Sequence, residues 1–241
     1  SSKQPFVVQT VSIIEMEVYS KYTKEKPTMN IVGKLDGSDP TLKNEYVVVG
    51  AHLDHVGEQA GEIYAPGAND NASGSAAVLE IARAFVKNKI KPKRSIIFVL
   101  FASEELGLIG SKYFVDYSPV PLEKITAMIN LDCIGYGDSI QVGNGKSSPN
   151  LWKIARHQDS LFTKMMVEAT WNGGGADAGP FHDKSIPAVY FVTTNSYAHL
   201  HYMTDEPETL NKSLFEKITK LAYYTAFEVV QGRYNREEIV K

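Results

Sequence analysis

Short, almost purely apolar runs recur along this 241-residue chain and alternate with segments whose apolar residues repeat at helical spacing. Continuous apolar runs of strand length are typical of parallel strands that are covered on both faces. The predicted strands are residues 7–22, 30–35, 46–50, 95–102, 125–132, 139–142, 164–168 and 188–193, and the predicted helices are residues 72–86, 106–116, 149–161 and 214–231. This alternation predicts an α/β three-layer sandwich with a mixed, mostly parallel central sheet and a few antiparallel edge strands.

The composition excludes several classes of protein. Apolar residues make up 43% and charged residues 22%, as in an ordinary globular protein. The net charge of −3 lacks the basic excess that nucleic-acid or acidic-membrane binding needs. The single cysteine, Cys133, excludes an internal disulfide and a zinc site built from cysteines, and we expect it to be a small buried residue. No apolar run approaches the roughly 18 residues of a membrane span.

We find no linker or internal repeat, and we therefore expect residues 1–241 to form a single domain. The chain opens at Ser1 and Ser2, with neither a methionine nor a signal peptide. We interpret it as a processed or trimmed chain and expect an exported protein whose signal peptide is not part of this chain. The oligomeric state is not predicted.

Titratable side chains cluster where the predicted strands end. Their order along the chain is His52, Asp54 and His55, then Asp70, Glu104 and Glu105, Asp132, and finally His199 and His201. In open α/β sheets functional groups collect at the carboxyl ends of the strands, so most of these side chains are expected to meet at one edge.

Imidazole and carboxylate ligands in this mixture suit zinc or a similar divalent ion. One zinc ion takes about four ligands, and this set is larger. Two ions about 3.5–4 Å apart that share a carboxylate would use the whole set. One of the two adjacent glutamates would then be free to take a proton from a water molecule between the ions.

Each residue also has an ordinary structural interpretation. A lone histidine such as His52 is more often a hydrogen-bonded core residue than a ligand. Glu104 and Glu105 could open a helix, and Asp70 could cap one. The glycines at 173–175 do not match a nucleotide-binding loop, and we expect them to form a wall of a substrate cleft. The occurrence of all the candidate residues together, in this order, favours a functional site.

Five segments carry a resemblance to a known family: GAHLDH (50–55), GANDNASG (67–74), SEELGLIGS (103–111), NLDCIG (130–135) and HYMTD (201–205). Together they resemble the co-catalytic di-zinc aminopeptidases, a family that includes secreted bacterial leucyl aminopeptidases, glutamate carboxypeptidases and, with one zinc ion, glutaminyl cyclases. The resemblance covers residue 30 to the C-terminus. It implies a zinc-peptidase-like fold and a metal-dependent exopeptidase that hydrolyses the N-terminal peptide bond of a peptide with two zinc ions.

The resemblance implies a role for each candidate ligand. His52 and Asp132 would bind one zinc ion, Glu105 and His201 would bind the other, and Asp70 would bridge the two. His199 competes with His201 for the last position, and we favour His201 because of the family's spacing to Asp205.

The same resemblance implies that Glu104 is the general base and that Asp54 orients the imidazole of His52 from outside the metal site. Asp177, in the segment GADAGPF, would support the site. His55 is expected to lie on the opposite face and not to be a ligand. The resemblance further implies a non-proline cis peptide bond between Asp70 and Asn71.

The residue that stabilises the oxyanion is left open. Some relatives carry a stabilising tyrosine either at the position of Leu200 or at that of Gly173, and Tyr202, Tyr197 or His199 could substitute for it here. Tyr64 lies on the long loop between two ligands and is expected to line a specificity pocket.

Three other functions remain as alternatives. A carboxypeptidase of the same family would need clustered arginines, a glutaminyl cyclase-like acyltransferase would use one zinc ion, and a receptor ectodomain would have lost its metals. Few arginines and a full set of ligands favour the aminopeptidase with a peptide substrate. Many exported relatives also carry a lid domain, which we expect to be absent from this chain.

Overall fold

The computed structural model describes residues 26–59 and 63–240, and the strand predicted at 7–22 lies outside the described residues. The described strands are β1 (Ile31–Leu35), β2 (Tyr46–His52), β3 (Glu58–Gln59), β4 (Ile63–Tyr64), β5 (Ser95–Phe101), β6 (Ile125–Leu131), β7 (Ile140–Gly143) and β8 (Ala188–Thr193). The described α-helices are α1 (Gly74–Lys87), α2 (Ile109–Asp116), α3 (Pro149–Phe162), α4 (Ala178–Asp183) and α5 (Lys212–Val230).

Six of these strands form one mixed sheet in the order β1-β5-β2-β6-β8-β7. The four inner strands are parallel to one another, whereas the edge strands β1 and β7 are antiparallel to their neighbours. Strands β3 and β4 form a separate short hairpin. The predicted mixed, mostly parallel sheet with antiparallel edges is confirmed.

The sheet lies between two layers of helices, and strand β2 shows how its residues divide between the layers. Val47 and Val49 belong to the core cluster that contains residues of α1, α3 and α5, whereas Val48 belongs to the cluster that contains residues of α2 and α4. Successive side chains of a strand point to opposite faces, so a strand covered on both sides must be apolar at every position. Burial of each such valine contributes about 1.5–3 kcal/mol relative to leaving it exposed. The predicted three-layer sandwich is therefore confirmed.

Three elements differ from the predicted ones, and the first is the short hairpin of β3 and β4, which was not predicted. Residues 164–168 form only an isolated bridge between Ile140 and Met166, because the amides of Met165 and Met166 donate to the carboxylate of Asp159. Helix α4 was not predicted. It is one short element with Gly179 and Pro180 in its sequence, and such residues weaken any helical pattern. None of the described helices combines the length and apolar composition that a bilayer crossing requires.

Candidate metal centre

Three neighbouring strands bring the candidate residues to one edge of the sheet. His52 is the last residue of β2, which lies between β5 and β6. Glu104 and Glu105 lie in the turn that follows β5, and Asp132 follows β6 directly. All three strands are parallel, so their carboxyl ends coincide and their side chains converge, as predicted.

One group of donor atoms forms around His52, whose side chain is 1% exposed. Its Nε2 atom lies 3.3 Å from Asp70 Oδ1 and 3.4 Å from Asp132 Oδ1. Asp132 Oδ1 is buried without a hydrogen-bond partner among the described residues. We call His52, Asp132 and Asp70 Oδ1 the first donor set.

A second donor set forms around His201, which is 45% exposed. Its Nε2 atom lies 3.2 Å from Asp70 Oδ2 and 3.1 Å from Glu105 Oε2. The two oxygens of Asp70 therefore face different donor sets, as the oxygens of a bridging carboxylate do. Donors about 2.0–2.2 Å from a tetrahedral zinc ion lie roughly 3.3–3.6 Å apart. The distances in the first set, 3.3 and 3.4 Å, fit ligands that share an ion, and those in the second set, 3.2 and 3.1 Å, are slightly shorter.

The loop that carries Asp70 is held by Asp205. The buried carboxylate of Asp205 accepts the amide of Asn69 at 2.8 Å through Oδ1 and the amide of Asp70 at 3.0 Å through Oδ2. The peptide bond between Asp70 and Asn71 is cis, as predicted. Helix α1 begins only at Gly74, so Asp70 is not its cap.

His52 is oriented differently from the prediction. Its Nδ1 atom lies 2.9 Å from the main-chain carbonyl oxygen of Asp54 but 3.9 Å from the carboxylate of that residue. The carboxylate instead accepts the amides of Glu104 at 3.0 Å and Glu105 at 3.2 Å. Asp54 thus orients the imidazole through its backbone, and its side chain fixes the turn that carries both glutamates.

Crowded carboxylates perturb the protonation of the site. Burial lowers the pKa of His52, but the nearby carboxylates of Asp132 and Asp70 outweigh burial and raise that pKa to about 12. Burial raises the pKa of Glu104 to about 8, against the opposing charge of His52. Burial also raises the pKa of Asp177 to about 7 and shifts the pKa of Glu105 upward. A site that holds protons in this way is one where a bound cation would replace them.

His55 was expected outside the site, and the structure brings it in. Its Nδ1 atom lies 3.1 Å from Glu105 Oε1 and 3.8 Å from Asp70 Oδ2. Strand β2 ends at His52, so the alternation of faces on which the prediction relied stops before His55. Gly67, at φ 71°, makes room for the ring, because a Cβ atom there would lie 2.7 Å from it.

A cavity of about 420 Å³ opens over both donor sets. Besides the five residues of the two sets and Glu104, the described residues that line it are Cys133, Trp171, Gly175, Ala176, Tyr190, Tyr197 and Leu200. Cys133 is buried, as expected. Tyr190, which sequence reasoning missed, places its hydroxyl 3.3 Å from Asp132 Oδ2.

The remaining candidates lie outside this lining, as far as the described residues define it. His199 directs its Nδ1 atom to the hydroxyl of Thr204 at 2.8 Å, and its ring packs against Tyr136. Tyr64 and Tyr202 are 62% and 63% exposed. Asp177 is fully buried behind the lining, and its oxygens have no hydrogen-bond partner among the described residues.

Comparison with known proteins supplies the family. The profile of Peptidase family M28 matches residues 30–226. Aminopeptidase YwaD from Bacillus subtilis is 29% identical over 82% of this chain and 44% of its own length. A probable leucine aminopeptidase from Trichophyton verrucosum is 38% identical over 79% of this chain and 56% of its own length.

Solved structures agree with these relatives. A zinc aminopeptidase from Bacillus subtilis superimposes with a TM-score of 0.71 at 26% identity, over 88% of this chain and 52% of that one. Porphyromonas gingivalis glutaminyl cyclase, at 20% identity, shares the fold with a TM-score of 0.67 over 83% of this chain and 77% of that one. The chain spans only about half the length of the aminopeptidases compared here. Because the family profile covers most of the sequence, the chain belongs to peptidase family M28.

Proposed function

We propose that this chain is a metal-dependent aminopeptidase that uses two zinc ions. The observation that carries the proposal is that the two oxygens of Asp70 face different donor sets. Each set contains one imidazole and one further carboxylate. The names of the relatives, zinc aminopeptidase and leucine aminopeptidase, agree with it. Both donor sets lie within the described residues, and we propose that these residues are the catalytic part of the protein.

In this proposal His52 and Asp132 would hold one ion, His201 and Glu105 would hold the other, and Asp70 would be a ligand of both. Bound zinc supplies polarisation of a carbonyl group and acidifies a water molecule.

Glu104 is the carboxylate that the two donor sets leave over, and it lines the same cavity. It accepts a proton from the attacking water at its side-chain carboxylate and later gives that proton to the leaving amine. Two cations beside Glu104 would lower its raised pKa, since nearby positive charge favours the ionised carboxylate. The carboxylate of Asp54 fixes the turn from which Glu104 projects.

The described lining of the cavity has no cationic side chain that would hold the terminal carboxylate of a peptide. This lining contains four carboxylates and no lysine or arginine. The chain's arginines are engaged elsewhere, with carboxylates or main-chain carbonyl groups: these are Arg83, Arg94, Arg156, Arg233 and Arg236. A carboxypeptidase needs a cation near the terminal carboxylate of its substrate, which this lining does not offer.

A glutaminyl cyclase is the second candidate, and the shared fold with the Porphyromonas enzyme is the observation behind it. A one-zinc enzyme has no need of a bridging carboxylate, so the complete second donor set favours the aminopeptidase.

The test is the metal content of the protein after reconstitution with zinc and desalting, followed by assays on aminoacyl anilides. We expect two zinc ions per chain and release of the anilide. The same aminoacyl anilide with its amino group blocked is the matched control, and it should not be cleaved. One zinc ion per chain together with cyclisation of glutaminyl peptides would replace the proposal with the cyclase. A chain that binds no zinc would contradict both.

A further inference from the structure

The two oxygens of Glu105 have different neighbours. Oε2 lies 3.1 Å from Nε2 of His201 and so belongs to the second donor set. Oε1 lies 3.1 Å from Nδ1 of His55. A carboxylate in a metal site binds with defined geometry only when its orientation is fixed from outside. His55 is the described side chain that contacts the oxygen facing away from His201.

His55 is itself held in place. Its side chain is 11% exposed, and the ring occupies the space above Gly67, where a Cβ atom would lie 2.7 Å from it. The ring also meets the ring of His201 edge-on, with centroids 5.6 Å apart. Because an ionised carboxylate only accepts hydrogen bonds, Nδ1 of His55 is the donor in the contact with Glu105.

His55 lies farther from the bridging carboxylate than His201 does. Nδ1 of His55 lies 3.8 Å from Asp70 Oδ2, whereas Nε2 of His201 lies 3.2 Å from the same oxygen. The first donor set has comparable outer contacts: the carbonyl of Asp54 at His52 and the hydroxyl of Tyr190 at Asp132. His55 supplies the equivalent contact for Glu105.

We propose that His55 is a positioning residue for the second zinc ion, because its Nδ1–H bond to Glu105 Oε1 keeps Oε2 directed at His201. The proposal rests on the proposed two-zinc function. It predicts that loss of this hydrogen bond weakens binding of the second zinc ion and leaves binding of the first ion unchanged. Loss of such outer contacts in other metal sites weakens metal binding about 10- to 100-fold.

Two substitutions separate the hydrogen bond from the packing of the ring. His55→Phe keeps a ring over Gly67 but has no donor. His55→Asn loses the ring but places an amide N–H near the position of Nδ1. Metal-free protein would be titrated with zinc against a chromophoric chelator, which gives a dissociation constant for each ion without any activity assay.

We expect His55→Phe to raise the dissociation constant of the second zinc ion about 10- to 100-fold and to leave that of the first ion unchanged. His55→Asn should bind both ions like the wild type. The unchanged first constant reports that the variant is folded, and His55→Leu replaces the Phe variant if that protein does not fold. Equal weakening in both variants would mean that the imidazole binds the ion directly. Weaker zinc binding in the Asn variant alone would mean that His55 acts through the packing of its ring. Unchanged zinc binding in both variants would leave His55 without a role. Each of these three results overturns the proposal. A wild type that binds one ion would instead contradict the two-zinc function.

Discussion

Replacement of Asp205 by alanine tests whether the metal centre depends on residues that are not ligands. Asp205 is fully buried and accepts two buried amides, those of Asn69 and Asp70, one with each carboxylate oxygen. Its main-chain carbonyl also accepts the amide of Ala68. The substitution therefore keeps the backbone contact and removes only the two bonds that hold the bridging residue.

The expected loss of stability follows from the two main-chain amides that lose their hydrogen-bond acceptor. Each buried N–H without a partner costs about 1–3 kcal/mol, or roughly 2–6 kcal/mol for the pair. Removal of a buried carboxylate also removes the cost of desolvating it, which shifts the expected change to about 2–4 kcal/mol. Whole domains are stable by only about 5–15 kcal/mol, so the change is easily measured.

Urea unfolding of the metal-free protein measures the loss of stability, and zinc titration measures the effect on the site. Asp159→Ala is the matched control, because Asp159 is a buried carboxylate that accepts the amides of Met165 and Met166 at the end of α3. Both variants should lose stability, but only Asp205→Ala should weaken zinc binding, by about 10- to 100-fold. A change below about 1 kcal/mol, or unaltered zinc binding in Asp205→Ala, would refute the reasoning.

Four further outcomes are expected. Glu104→Gln should keep its zinc and lose about 10²- to 10⁴-fold of the hydrolytic rate, and retained hydrolysis would remove Glu104 from the role of base. Asp70→Ala should no longer hold two ions, and elemental analysis that still finds two would refute the bridge. Gly67→Ala should lower the free energy of unfolding in urea by about 1–3 kcal/mol, because φ is 71° there and the new Cβ would meet the ring of His55; an unchanged unfolding curve would contradict that contact. Zinc binding at pH 7 should release protons, because the raised pKa of about 12 keeps His52 protonated without metal and a ligand imidazole must be neutral, so affinity should increase with pH. Calorimetry in buffers of different ionisation enthalpy counts these protons, and heats that do not depend on the buffer would contradict this expectation.

The sheet could be predicted because burial on both faces leaves a signal in the sequence. Residues 46–50 and 125–132 were predicted as strands, and the structure has Tyr46–His52 and Ile125–Leu131. The prediction failed at 164–168, where a side chain rather than a neighbouring strand accepts the amides of Met165 and Met166. Hydrogen bonds to Asp159, which lies six and seven residues earlier, leave no periodic pattern to detect.

The site could be predicted only in part, for a similar reason. Residues at the ends of strands, such as His52 and Asp132, are placed by the sheet itself. The path of the turns that follow is set by residues with positive φ, namely Ser103 at 57°, Cys133 at 52° and His201 at 61°. None of these is a glycine or an asparagine, so the sequence carries no sign of a left-handed residue there. The contact between His55 and Glu105 depends on these turns and could not be foreseen.

The segment GANDNASG shows why a motif can be more specific than its chemistry requires. Only Asp70 faces the donor sets, whereas its polar neighbours hold the loops together. The side-chain oxygen of Asn69 accepts the amides of Gly135 and Tyr136, and the side chain of Asn71 donates to the carbonyl of Leu131.

These bonds join the start of α1 to the end of β6, and so set the distance between Asp70 and Asp132. Ser73 adds to them, since its hydroxyl donates to the carbonyl of Asn69 and accepts the amide of Ile134. A chain that kept every ligand but lost Asn69 would retain the donor atoms but not the hydrogen bonds that set the distance between Asp70 and Asp132. The residues that flank Asp70 in this motif therefore serve to hold the site in place, whereas Asp70 itself is the proposed ligand of the metal.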